Sequence, residues 1–294
     1  MAQVVDASAH IFSGDRTRYP IAARLGGVLP AWAKGRQALT AEELLGLMAD
    51  AGVNQAILVH QPNIYDTDHS YLLDTARRYP ESFVVQGAIE VYYRYAAQMA
   101  AWLRGAGVAM FRFEHDPELD VADWIDSARM RPVWEEAANG SIAVSLPWVQ
   151  MRHIPVLRRV IERFPTVPMV LRRFAGAPME DGPPYEAAKD FFALAEHPSV
   201  YHAFSRDSIR AAAKGKSTPE AFFGKLIDTF GADHLMWGSY YGTNVATGDM
   251  QYQDLIDDSR SGLSFLKPAD LELILGESAR KLIPALRGAA PVTA

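Results

Sequence analysis

The chain has 294 residues, of which 49% are hydrophobic and 22% charged, and carries a formal net charge of −6. That length suits one α/β barrel or two medium domains. The negative balance, without any local Lys/Arg run, excludes a non-specific nucleic-acid binder. With no cysteine, disulfides, thiolate catalysis and Cys-based zinc or iron–sulfur sites are excluded as well.

The N-terminus shows no basic region followed by a long apolar run, and no stretch approaches the roughly 20 apolar residues that span a bilayer. A soluble cytoplasmic protein is expected, with no membrane partner. Short apolar runs then alternate with helical patterns along almost the whole chain, which is the mark of a parallel sheet. The first run, 3–9, ends in Asp6-Ala7-Ser8-Ala9-His10. The non-periodic stretch 13–39 follows, holding Arg16, Arg18, Tyr19, Arg24 and Trp32, and its aromatic and basic content favours a lid loop. Thr40 and Glu43 form a capping box for a helix over Ala41–Ala51, which stops before Gly52. Further strands are expected at 55–61, 83–89, 107–113, 141–147, 167–173, 199–204 and 234–239. Helices are expected over Ser70–Tyr79, Tyr95–Gly105, Ile154–Phe164, Phe191–Ala195 and Phe222–Phe230. A closing helix over Leu271–Leu286 precedes a flexible tail at 287–294. Eight strand–helix units in one domain, 1–294, point to a (β/α)8 TIM barrel with its site at the C-terminal strand ends. A doubly wound sheet would want a G-x-G-x-x-G loop, which is missing.

Several segments taken together resemble the amidohydrolase-related (amidohydrolase 2) family. The first strand of that family usually ends D-x-H-x-H and its last reads M-x-G-S-D-[YW]-P, against Asp6–His10 and Met236–Gly242 here. Leu39–Val59 resembles the first helix and second strand, and Ile274–Leu282 resembles the terminal I-L-G-x-N-A-x-R-L. The branch of sugar lactonases and pyrone-dicarboxylate lactonase looks nearest. The resemblance implies an amidohydrolase-like barrel and a metal-assisted hydrolase, yet the site positions depart from the pattern. Ser8 stands for a ligand His, Tyr240 for the Asp, and Arg172-Arg173 for the D-H of a V-V-L-D-H-L strand. An arginine cannot coordinate a metal, so no cofactor and no metal site are expected.

Positive charge then replaces the cation. Arg173 at a strand mouth could polarise a carbonyl or bind an oxyanion, in a pair with Tyr240. Arg112 and Arg172 could anchor a substrate carboxylate, although Arg112 could equally form an internal salt bridge with Glu114 or Asp6. His10, and His60 one strand on, are the candidate bases that would activate water. Ser8, Ser205, His115, Tyr241 and Trp148 complete the expected substrate contacts. His202 shares a strand face with Val200 and Phe204, and so points away from Ser205. No G-x-S-x-G elbow supports a serine triad.

The expected function is therefore metal-independent hydrolysis of a small, carboxylate-bearing cyclic ester of the lactone type. A metal-free lyase or isomerase and a non-catalytic binding barrel are the alternatives. A homo-oligomer is possible.

Overall fold

Alternating apolar runs condense into a parallel sheet because strands covered by helices on one face and packed against each other on the other are buried throughout. A computed structural model describes residues 3–30, 33, 38–114, 118–243 and 251–287. Eight strands follow one another in chain order: β1 (Val5–Ala9), β2 (Gln55–Val59), β3 (Phe83–Glu90), β4 (Met110–Glu114), β5 (Ala143–Leu146), β6 (Met169–Arg172), β7 (Val200–Phe204) and β8 (Leu235–Trp237). Each is parallel to its neighbour. This is the expected (β/α)8 barrel. No helix among the described residues is long and apolar enough to cross a membrane.

The outer helices include α1 (Ala41–Ala51), α2 (Ser70–Arg78), α3 (Ala96–Gly105), α4 (Arg131–Gly140), α5 (Ile154–Arg163), α6 (Pro219–Phe230) and α7 (Tyr252–Gly262). Thr40 caps α1 as its sequence requires: its hydroxyl accepts from Glu43 N at 3.2 Å, and Glu43 accepts from Thr40 N at 2.6 Å. The sequence pattern did not predict α4 and α7. The closing helix runs continuously from Pro268 to Leu282 with a π turn at Leu273–Glu277, and so starts and ends earlier than expected. Ala279, Ile283 and Leu286 pack against Val5, Ala7, Ile57 and Val84 and so plug the N-terminal end of the barrel.

A carboxylate closes the seam between β1 and β8. Asp6, fully buried, accepts from Ser239 N (2.8 Å), Ser239 Oγ (2.5 Å), Ser8 N (2.9 Å) and Tyr252 Oη (3.0 Å). Tyr240 N donates to Ser8 O (2.8 Å) and His10 N to Tyr241 O (2.9 Å). Glycine is needed twice at this seam. A Cβ on Gly238 would lie 3.0 Å from Ser8 Cβ, and one on Gly242 (φ +79°) would lie 2.2 Å from His10 O.

Alternation and register set the interior layers, each built from alternate strands. From the plugged end upward the first two hold Val5, Val84, Ala143 and Tyr201, then Ile57, Met110, Val170 and Met236. The third holds Ala7, Gln86, Ser145 and Ala203, and the fourth Val59, Arg112, Arg172 and Gly238. The interior thus turns from apolar to polar toward the C-terminal strand ends, where water and ligands reach it.

The stretch 13–39 is tied to the same end. Phe12 and Leu39 pair as an antiparallel bridge at its base. Ser13 N donates to Tyr65 Oη (2.7 Å), Arg24 pairs with Asp66 (2.6 Å), and Arg18 and Tyr19 both bond Asp74 on α2 (2.8 and 2.7 Å). Trp32, His115 and the tail 288–294 lie outside the described residues.

Candidate active site

Arg172 is the centre of the barrel mouth. It ends β6 with its side chain on the interior face, and it is buried. Its Nη2 donates to Ser8 Oγ at 3.0 Å, and its guanidinium carbon lies 4.0 Å from the centroid of the Tyr240 ring. The cation rests over the ring, and among the described residues the phenol oxygen has no hydrogen bond of good geometry. Burial pulls the Arg172 pKa down to about 10, with the nearby Tyr240 opposing the shift and the positive charges of Arg112 and Arg173 reinforcing it. Among the described residues no carboxylate pairs with it. An unpaired buried cation is costly, which makes it a ready receptor for an anion.

Arg112 shares that interior layer and pairs with Glu114, two residues on along the same face of β4. The internal salt bridge anticipated for Arg112 is therefore formed with Glu114, not with Asp6. Glu114 also accepts from Trp148 Nε1 at 2.7 Å, which fixes the indole at the rim. Beside it in register is Glu90, whose carboxyl is pushed up by burial and by the Glu114 charge.

His10 follows the β1 bulge, is buried, and keeps an unpartnered Nδ1. Burial first, then the charges of Arg112 and Arg172, hold its imidazole well below the usual histidine range, so it is neutral. His60 is neutral for the same leading reason, followed by His69. Its Nε2 donates to Asp68 O at 2.9 Å, which leaves Nδ1 as an acceptor without a partner, and its ring stacks on His69 at 3.7 Å.

The backbone after β6 turns left-handed over Arg173 (φ 48°), Phe174 (55°) and Ala175 (52°). Such geometry costs roughly 1–2 kcal/mol per non-glycine residue. The Phe174 ring holds the turn in place, packed on Phe191, Phe204, Phe222 and Phe223 at centroid distances of 6.3, 5.7, 5.5 and 5.8 Å. The turn leaves Arg173 exposed. The guanidinium paired with Tyr240 is accordingly that of Arg172, not of Arg173 as the sequence suggested. A one-residue difference exchanges the inside of a strand for its outside, and the left-handed turn decides which arginine stays in.

Other expected contacts are placed elsewhere. Ser205 caps the short helix Arg206–Ala211, its hydroxyl accepting from Asp207 N at 3.2 Å. Tyr241 packs edge-on against Tyr252 and lines a groove beside α1, outside the mouth. Arg206, the first residue of the helix that Ser205 caps, pairs with Asp258 of α7 at 3.0 Å. His202 faces the helices, enclosed by Phe174, Phe191 and Phe230. Burial lowers its pKa to about 3. Unfolded histidine titrates near 6.5, so the native state resists protons that the unfolded chain takes up. Stability is then complete above about pH 6.5 and is lost as pH falls toward 3. Thermal melts between pH 4 and 7 should show Tm dropping on acidification, with a shallower drop in His202→Leu; an unchanged slope would contradict this role.

Sequence reasoning missed Gln86 and Ser145, two polar residues inside apolar strands at inward positions. Gln86 Oε1 and Ser145 Oγ have no hydrogen-bond partner. The signal available was a polar side chain in phase with Val84 and Ala143.

Among the described residues, no group of three or more His, Cys, Asp or Glu side chains could hold a metal ion. The guanidinium of Arg172 bonds Ser8 and covers Tyr240, two of the positions where the family resemblance expects ligands.

The family model described as amidohydrolase matches residues 5–285. The chain belongs to the amidohydrolase family. Among relatives of this amidohydrolase, an L-fucono-1,5-lactonase of Burkholderia ambifaria is 30% identical over 206 residues, 67% of this chain and 68% of the lactonase. This supports a place in the lactonase-like branch. A Pseudomonas putida protein provisionally assigned as a 2-pyrone-4,6-dicarboxylic acid hydrolase superposes with a TM-score of 0.73 at 20% identity, over 97% of this chain and 98% of that one. The 5-carboxyvanillate decarboxylase of Sphingomonas paucimobilis superposes at 0.63 with 12% identity, over 97% and 99%. The fold is therefore shared between hydrolases and decarboxylases, and the chemistry must be argued from the mouth.

Proposed function

We propose that this amidohydrolase opens a small cyclic ester bearing at least one carboxylate, and that it does so without a bound metal. The observation that carries the reading is the buried Arg172 guanidinium, unpaired by any described carboxylate and shared by Ser8 and Tyr240. The lactonase and pyrone-carboxylate hydrolase relatives support the reaction class.

Arg112, partly balanced by Glu114, anchors the carboxylate, and the exposed Arg173 contributes only long-range steering toward the mouth. Arg172 points its N–H groups at the ester carbonyl, and the free Tyr240 hydroxyl donates to the same oxygen. Neutral His10 takes a proton from water as the water oxygen attacks the carbonyl carbon. The tetrahedral oxyanion collapses, the ring C–O bond breaks, and the leaving alkoxide takes the proton back from His10. His60 stands behind as the second acceptor. The whole chain acts as one catalytic barrel, with the stretch 13–39 as its lid.

Metal analysis joined to turnover on a panel of carboxylated lactones, before and after chelator treatment, tests this directly. Acid release should persist after chelation, with less than 0.1 equivalent of metal as an order-of-magnitude threshold. Stoichiometric zinc or manganese, or activity abolished by chelator and restored by metal, would overturn metal independence. Lactone consumed without acid release would point to isomerisation instead.

A further inference from the structure

The interior layer directly beneath the two arginines contains more than the proposed hydrolysis uses. Gln86 on β3 and Ser145 on β5 belong to one layer with Ala7 and Ala203, and Arg112 on the intervening strand lies in the layer above. Both are buried, 1% and 0% exposed, and both keep an unpartnered polar atom, Gln86 Oε1 and Ser145 Oγ. Buried polar atoms are satisfied in the great majority of cases, so two orphans in one layer facing the barrel axis call for a partner from outside the chain.

The chemistry of that partner follows from the atoms. The amide nitrogen of Gln86 is turned to Met110 Sδ, a weak acceptor. The amide oxygen is the atom of Gln86 left without a partner among the described residues. An amide oxygen only accepts. A carboxylate or an ester carbonyl offers it no proton, whereas a hydroxyl does. Ser145 Oγ can both donate to such a hydroxyl and accept from it. The remaining members of the layer are alanines, and on β8 Gly238 adds no side chain to the layer above.

We propose that Gln86 and Ser145 form a specificity floor that reads a ring hydroxyl, so that the preferred substrate is a lactone carrying a hydroxyl as well as a carboxylate. This rests on the hydrolase reading above. The arginine layer takes the anionic and carbonyl groups, and the floor takes the hydroxyl on the opposite edge of the ring. A site built to bond a substrate hydroxyl discriminates strongly against the analogue that lacks it, because its own polar atoms are then left unpaired.

The test uses the full chain and two compounds, a carboxylated lactone with a ring hydroxyl and its deoxy counterpart. Wild type should favour the hydroxylated compound by about 100-fold or more in kcat/KM. Gln86→Met and Ser145→Ala should each shrink that ratio about tenfold or more, and circular dichroism melts establish that each is folded. If Gln86→Met does not fold, Ser145→Ala decides alone. A wild-type ratio near one, or a ratio that neither variant moves, overturns the floor and assigns the two atoms to ordered water only. If wild type hydrolyses neither compound, the hydrolase reading fails, and calorimetric binding of the same pair still decides the floor. A preference for the hydroxylated compound that the variants lose supports it; equal binding, or none, overturns it.

Discussion

Arg172→Met should lower kcat/KM by about 10²–10³-fold, the effect of removing one preorganised donor from a developing oxyanion, while leaving the protein as stable as wild type or more so. The two halves of that result separate function from structure. Arg172 is buried without a carboxylate partner among the described residues, so its charge is a cost to the native state, and a thioether of similar length keeps the packing without the desolvation. Its hydrogen bond to Ser8 Oγ leaves, when lost, a hydroxyl that can turn elsewhere. Arg172→Lys should not restore activity, because an ammonium cannot lie flat on Tyr240 and bond Ser8 together. Arg173→Ala, at an exposed position, should cost less than about tenfold, within the range of a screened surface charge. Steady-state kinetics and thermal melts on these variants check the set. Wild-type kcat/KM in Arg172→Met, or a larger loss in Arg173→Ala, would remove Arg172 from the centre of the site.

His10→Ala should lower kcat by about 10²–10⁴-fold, as expected for losing a general base. The pH profile gives a sharper reading. His10 acts in its neutral form, and burial together with Arg112 and Arg172 holds its pKa well below the ordinary value. Activity should therefore stay level as pH falls past 6.5 and be lost only as the imidazole finally protonates. In Arg172→Met one of the opposing charges is gone, so the acid limb of the residual activity should move to higher pH. Full profiles of kcat/KM between pH 4 and 8 for wild type and Arg172→Met would show it. A limb at 6.5 in wild type, or one that does not move in the variant, would take the base role from His10. Should His10→Ala retain activity while His60→Ala loses it, the base is His60, whose Nδ1 is also without a partner.

The two predictions depend on one physical arrangement. Among the described residues, polar atoms crowd the upper barrel without enough internal partners: Arg172 lacks a carboxylate, and His10, His60, Tyr240, Gln86 and Ser145 each keep an unpartnered atom. In a barrel whose lower layers are closely packed and apolar, that concentration of unmet bonding is a loss in stability that a ligand can recover.

The sequence alone determined the architecture. Alternating apolar runs and helical patterns were sufficient for eight parallel strands, because burial on both faces writes a continuous hydrophobic signature into each strand. It also located the mouth, since Asp6–His10, His60, Arg112, Arg172 and Tyr240 all fall at or near strand ends. The cap of α1 was likewise legible, as it depends on spacing within a few residues, whereas alternation placed His202 and Ser205 on opposite faces without saying which face is inside. Only the tertiary structure decided which arginine enters the site. That choice depends on a left-handed turn stabilised by Phe174 against residues 17 to 49 positions away, beyond the reach of any local pattern. The same holds for Asp6, which closes the β1–β8 seam across 233 residues of chain, and for Gln86 and Ser145, which share a layer only because the register of three strands aligns them. Local periodicity sets what each segment becomes, whereas the pairing of distant segments sets which polar atoms are left facing one another.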